Sequence, residues 1–107
     1  MEPQCKILVI DDEPINTLML EEALALVGVI HSCNDSEKAL DLIRDIEPDI
    51  LLLDLEMPNV SGFDILRLIK ELPKFSDIRT IVITSHSDPA IEEEALSLGA
   101  IDFISNL

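Results

Sequence analysis

Two kinds of segment alternate along this chain, and that alternation constrains its fold more than any other feature. Residues 6–10 (KILVI), 29–33 (VIHSC), 49–53 (DILLL), 80–83 (TIVI) and 100–104 (AIDFI) are short and rich in Ile, Val and Leu. The first, third and fourth read as near-continuous apolar runs, the pattern of parallel strands covered on both faces. His31, Ser32 and Asp102 interrupt the other two, which suits sheet edges or strand ends. Between the strands, apolar residues recur at helical spacing: Ile15, Met19, Ala23, Leu26 and Val27; Ala39, Ile43 and Ile46; Ile65, Ile69 and Leu72; Ile91, Ala95 and Leu98. Pro14 and Pro89 fit first helical positions, where the missing N–H is not needed. Asn34 with Glu37, and Ser61 with Asp64, are spaced as capping pairs. Glu92, Glu93 and Glu94 sit where a helix dipole favours negative charge. Gly28 and Gly99 are expected to stop the first and fourth helices. The chain therefore reads βαβαβαβαβ, and crossovers of this length imply a parallel sheet. The pattern ends on a strand, with Ser105, Asn106 and Leu107 behind it.

A length of 107 residues suits one domain. Hydrophobic residues make up 48% of it, enough for a core despite a formal charge of −15. That charge argues against binding nucleic acid or an anionic membrane surface, both of which need basic footprints. No apolar run is long enough to span a bilayer. Cys5 begins the first strand and Cys33 ends the second, so in adjacent parallel strands they lie at opposite ends and do not pair. Two reduced thiols fit a cytoplasmic protein.

Ligand sites in open α/β sheets lie beyond the carboxyl ends of the strands. Asp11, Asp12 and Glu13 follow the first strand, Asp54 the third, and Thr84 and Ser85 the fourth. If the first and third strands are neighbours, Asp11, Asp12 and Asp54 converge. Their mutual repulsion would be relieved by a divalent cation, and an oxygen-only donor set favours Mg²⁺. The plainer alternative is that Asp11 or Asp12 caps the first helix. Asp54 weighs against it, because a charge ending the run Leu51, Leu52, Leu53 would be cheaper elsewhere.

The segments IDDEP at 10–14, LLLDLEMPNVSGFD at 51–64, ITS at 83–85 and GAIDFI at 99–104, in this order and with these gaps, resemble the receiver domain of two-component response regulators. The resemblance covers residues 1–107. It implies a flavodoxin-like, doubly wound, five-stranded parallel sheet of order 2-1-3-4-5. It also implies that Asp54 is the phosphoacceptor, taking a phosphoryl group from a histidine kinase or histidine phosphotransfer protein. Asp11, Asp12, Asp54 and the backbone carbonyl of Glu56 would hold Mg²⁺. Thr84 would bond the phosphoryl group and Phe103 would be the aromatic switch, while Met57, Pro58 and Gly62 shape the loop after the acceptor. Such a domain assists its own phosphorylation and dephosphorylation but is not otherwise an enzyme.

Two features depart from the family. Asn106 stands where receiver domains carry a lysine after the fifth strand; its amide donates a hydrogen bond but carries no charge. The fifth helix that would cover the sheet beside the first is lacking, which leaves apolar surface for self-association, such as a homodimer, or for a covering partner. A rival expectation is therefore a pseudo-receiver that acts through its surface without phosphorylation. A small metal-dependent phosphatase with Asp54 as nucleophile is a further one, opposed by the lack of a substrate-covering domain. His86 lies above the site as a solvated loop histidine or, with Glu56, as a group that steers hydrolytic water. His31 reads as structural.

Overall fold

The computed structural model describes residues 4–84 and 88–105. Five parallel strands, β1 (Lys6–Ile10), β2 (Val29–Cys33), β3 (Ile50–Asp54), β4 (Arg79–Thr84) and β5 (Asp102–Ser105), form one sheet in the order β2-β1-β3-β4-β5. Four helices, α1 (Pro14–Leu24), α2 (Ala39–Ile46), α3 (Gly62–Glu71) and α4 (Pro89–Ser97), make the crossovers. These are the α-helices among the described residues, and none is long and apolar enough to cross a membrane. His31 and Ser32 lie on edge strand β2 and Asp102 on edge strand β5, as their polarity suggests. Cys5 and Cys33 lie at opposite ends of the β1–β2 pair, and both are free thiols.

Strand residues alternate between the two faces of the sheet. On one face Leu8, Ile10, Leu51, Leu53 and Val82 pack against Ala39 and Ile43 of α2, Ile65, Leu66 and Ile69 of α3, and Ala95 of α4. On the other, Ile7, Val9 and Leu52 meet Leu20 and Leu24 of α1. Complete burial of each such Leu or Ile is worth about 1.5–3 kcal/mol. The three near-continuous apolar strands are therefore the centre of the sheet because both of their faces are covered.

Local differences from the sequence reading have physical causes. Asp49 precedes β3 rather than opening it: its carboxylate accepts the Lys6 N–H at 2.8 Å, so its side chain takes over a ladder contact. β5 begins two residues late because the Ala100 N–H returns to the Ala95 carbonyl of α4. The anticipated apolar stripe of α1 is not its buried one. Ile15 and Met19 are 66% and 63% exposed, Leu26 and Val27 lie beyond the helix end, and α1 instead buries Thr17 and half-buries Leu20 and Leu24. Met19, Leu20 and Ala23 line an open groove against Ile83 and Ile104 at the β4–β5 side of the sheet. On α3, Leu72 ends the helix exposed, and Leu66 takes the core position.

The capping pair Ser61–Asp64 forms a reciprocal box at the start of α3. Asn34 does not pair with Glu37; Asp35 caps that turn by accepting the Glu37 N–H at 3.0 Å. Pro14 and Pro89 occupy first turns, and Asp88 caps α4 through the Ala90 N–H at 2.8 Å. Gly99 has φ +104° and ends α4 as anticipated. Gly28 has a different reason: a Cβ there would lie 2.2 Å from the Cys5 carbonyl oxygen.

Candidate functional site

The strand order reverses between β2-β1 and β3-β4-β5, so the crevice at the carboxyl ends lies between β1 and β3. Ile10 pairs with Leu53 in register. The residues that follow, Asp11 and Asp54, are thereby delivered to the same level, with Asp12 beside them. One carboxylate oxygen from each of the three lies within 4.8 Å of the others. The crevice has a volume of about 210 Å³ and is lined by Asp11, Asp12, Glu13, Asn16, Asp54, Glu56 and Ile83.

Each acidic group is held differently. Asp11 is buried, 4% exposed, and both of its oxygens accept hydrogen bonds. Oδ1 takes the Glu13 N–H at 2.9 Å and Oδ2 takes the Asn16 side-chain N–H at 3.1 Å. Asp11 thus supports the turn into α1 as well as facing the crevice. Asp54 ends β3 half-buried, and its Oδ1 accepts the Glu56 N–H at 3.1 Å. Burial pushes the Asp54 carboxyl up from 3.8 to about 7; the Glu56 N–H opposes this, and the charges of Asp11, Asp12 and Glu56 add to it.

The arrangement is a hole of negative charge. Its donors are carboxylate oxygens alone, with no imidazole or thiolate among the three, which fits a hard divalent cation such as Mg²⁺ and not zinc or copper. A cation held there would lower the cost of the Asp54 charge and leave a carboxylate oxygen free for chemistry.

The loop after Asp54 is fixed by close backbone contact. A Cβ on Gly62 would lie 2.4 Å from the Asp54 carbonyl oxygen and 2.7 Å from the Leu55 Cα. The Gly62 N–H donates to the Leu55 carbonyl at 3.2 Å, and the Ser36 hydroxyl to the Pro58 carbonyl at 2.7 Å. Glycine at 62 lets the start of α3 rest on the backbone of Asp54 and Leu55.

Thr84 is buried at the end of β4, and its hydroxyl donates to Glu56 Oε1 at 3.2 Å. The Glu56 side chain therefore engages the residue expected to bond a phosphoryl group. Phe103 lies on β5 opposite Val82, partly buried against the core and away from the crevice lining. Ser85, His86 and Asn106 fall outside the described residues. Sequence reasoning missed two amides. Asn16 reaches the Asp11 carboxylate, and Asn34 donates to the Asp11 carbonyl at 2.8 Å and the Thr17 hydroxyl at 3.1 Å. The available signal was an Asn in the first turn of a helix that follows a strand-end Asp.

Known proteins are similar to this chain in sequence and in fold. A family model for the response regulator receiver domain matches residues 7–106. A probable cyclic di-GMP phosphodiesterase of Vibrio cholerae is 34% identical over 94% of this chain and 23% of its own length. A protein-glutamate methylesterase/protein-glutamine glutaminase of Geobacter sulfurreducens is 39% identical over 94% of this chain and 27% of its own. The chain thus spans about a quarter of the length of these curated relatives. The signal receiver domain of a DNA-binding response regulator from Colwellia psychrerythraea superposes with a TM-score of 0.89 at 28% identity, over 95% of this chain and 85% of that one. The sheet order, the acidic crevice at its switch point and the family match over nearly the whole sequence agree, and the chain belongs to the response regulator receiver domains of two-component signalling.

Proposed function

We propose that residues 1–107 form a phosphoacceptor module working in the cytoplasm, with Asp54 as the acceptor and a histidine kinase or histidine phosphotransfer protein as the donor. The observation that carries this reading is the convergence of Asp11, Asp12 and Asp54 at the switch point of the sheet. In the transfer, an ionised Asp54 carboxylate oxygen would attack phosphorus, the phosphorus–nitrogen bond of the donor phosphohistidine would break, and the donor ring, protonated beforehand on its other nitrogen, would leave as neutral imidazole. Phosphoryl transfer needs alignment and charge neutralisation more than covalent help. Asp11, Asp12, Asp54 and the backbone carbonyl of Glu56 would hold Mg²⁺, which supplies that neutralisation. The Glu56 N–H already orients the acceptor carboxylate. The Thr84 hydroxyl would exchange its Glu56 partner for a phosphoryl oxygen, and Phe103 would follow that movement as the switch. Asn106, at the position of the family's lysine, would offer an amide without a charge.

Intact-protein mass after incubation with a small acyl-phosphate donor tests this. A single phosphoryl adduct is expected, formed much faster with Mg²⁺ and absent from Asp54→Ala. The uncharged Asn106 favours a second reading, a pseudo-receiver acting through its surface. Failure to form the adduct, with the protein folded, Mg²⁺ bound and a phosphohistidine donor supplied, would support that reading instead.

A further inference from the structure

Asn16 occupies a boundary. It lines the acidic crevice on one side and the open groove beside α1 on the other, and Asp11 and Ile83 share that boundary with it. Along α1 its neighbours Ile15, Leu18 and Met19 are exposed and apolar, whereas the Asn16 side chain turns to the Asp11 carboxylate. Pro14 opens the helix and so sets the angle at which Asn16 projects.

Asp11 is fixed from several directions. Its Oδ1 is tied to the Glu13 N–H and its Oδ2 to Asn16. Asn34 holds its carbonyl from the β2 side and links it to Thr17 of α1. The main-chain contacts fix where Asp11 sits. The Glu13 N–H holds Oδ1, and among the described side chains it is the Asn16 amide that holds Oδ2, so the two together set the orientation of the carboxylate. The residue type matters. Lysine here would neutralise Asp11 and compete with a cation, aspartate would add a further negative charge, and leucine would leave Oδ2 without its side-chain partner while Oδ1 stays on the Glu13 N–H. An amide orients the oxygen without altering the charge of the site.

We infer that Asn16 is a positioning residue for the cation site, holding the Asp11 carboxylate in the rotamer that joins it to Asp12 and Asp54. The inference rests on the reading of the crevice as a Mg²⁺ site. Outer partners of metal ligands typically govern about 10–100-fold in affinity.

The test is calorimetric titration of the whole chain with Mg²⁺ alone, for wild type, Asn16→Leu, Asn16→Ala and Met19→Ala. Met19 lines the same groove but is not among the hydrogen-bond partners of the Asp11 carboxylate, so its variant controls for general loosening of α1. The expected result is a Mg²⁺ dissociation constant raised about tenfold in both Asn16 variants and unchanged in Met19→Ala. The Mg²⁺ dependence of phosphorylation by a small acyl phosphate gives a second readout. Its half-saturating Mg²⁺ concentration should rise in step, while the rate at saturating Mg²⁺ stays near wild type. A purely structural role would lower the melting temperature and leave both quantities in place. If Asn16→Leu does not fold, Asn16→Ala, which keeps a good helix former at a half-exposed position, decides the matter. Wild-type affinity in the Asn16 variants overturns the inference alone. A wild-type protein that takes up no Mg²⁺ overturns the metal reading beneath it.

Discussion

Replacing Asp54 by Asn should stabilise the metal-free protein by an amount that grows from about pH 4 and is complete above about pH 7. Burial, with the neighbouring carboxylates, raises this group from 3.8 to about 7. Its proton is therefore bound more tightly in the folded chain than in the unfolded one. The associated stability is fully present below about pH 4 and is lost as pH rises through about 7. Taken at face value, a shift of that size would correspond to about 4 kcal/mol, at 1.36 kcal/mol per unit. Asp54 is only half-buried, and water screens such a group, so about 1–2 kcal/mol is the reasonable expectation. Asn keeps an oxygen that can accept the Glu56 N–H, so the substitution removes the charge with little loss of contact. Thermal unfolding in a chelator at pH 5 and pH 8.5 reads the effect directly. At pH 5, where about a third of the interval from 3.8 to about 7 has been crossed, the Asn variant should melt only about 2–4 °C higher. At pH 8.5 the Asn variant should lie about 5–10 °C higher, given about 4–8 °C per kcal/mol for a domain near this size. Saturating Mg²⁺ should close or reverse that gap by stabilising the wild type. A gap that is the same at both pH values would refute the argument from burial and like charge.

Other positions give equally concrete expectations. Gly62→Ala places a Cβ 2.4 Å from the Asp54 carbonyl oxygen, so either α3 or the acceptor must move. It should lose about 2 kcal/mol or more in urea unfolding and slow phosphorylation of the folded fraction. Glu47 ends α2 with φ 51°, a conformation that costs a non-glycine residue about 1 kcal/mol. Glu47→Gly should accordingly raise stability by about 0.5–1 kcal/mol in the same assay. Burial raises the Cys33 thiol pKa, and its Sγ is held to the Asp35 carbonyl at 3.0 Å, whereas Cys5 is partly exposed. Iodoacetamide followed by peptide mass analysis should therefore find Cys5 alkylated well before Cys33 in the native protein.

The sheet was legible because its central strands are apolar without interruption, and only burial on both faces accounts for Leu51, Leu52 and Leu53 in succession. The acidic crevice was legible for a related reason: Asp11 and Asp54 each end such a run, and parallel register then leaves them no choice but to meet. Helix α1 was harder. It is apolar on more than one side, so periodicity alone identifies a stripe without saying which stripe packs. The structure buries the side bearing Thr17, Leu20 and Leu24 and leaves Ile15 and Met19 exposed, Met19 at the open groove. The amides were hardest to read. Asn34 obeys a capping rule by spacing, yet the Asp11 carbonyl is a better-placed partner, and that partner is 23 residues away. Long-range hydrogen bonds of this kind leave no local pattern.

The site also connects stability to reactivity. Three carboxylates gathered in one crevice, one of them the half-buried Asp54, are a local cost, which the covered sheet below is able to bear. The same field that makes Asp54 expensive to ionise makes it unreactive, since a protonated carboxyl cannot attack phosphorus. Under the proposed chemistry, cation binding would lower the acceptor's pKa and complete the charge balance for an incoming phosphoryl group in one event. Acceptor reactivity in the absence of Mg²⁺ should then follow the fraction of ionised Asp54 and rise as pH passes about 7. At saturating Mg²⁺ that dependence should flatten over the same range, because the ionised form would already predominate. A pH profile with the same midpoint with and without Mg²⁺ would show that charge in the crevice does not control the acceptor.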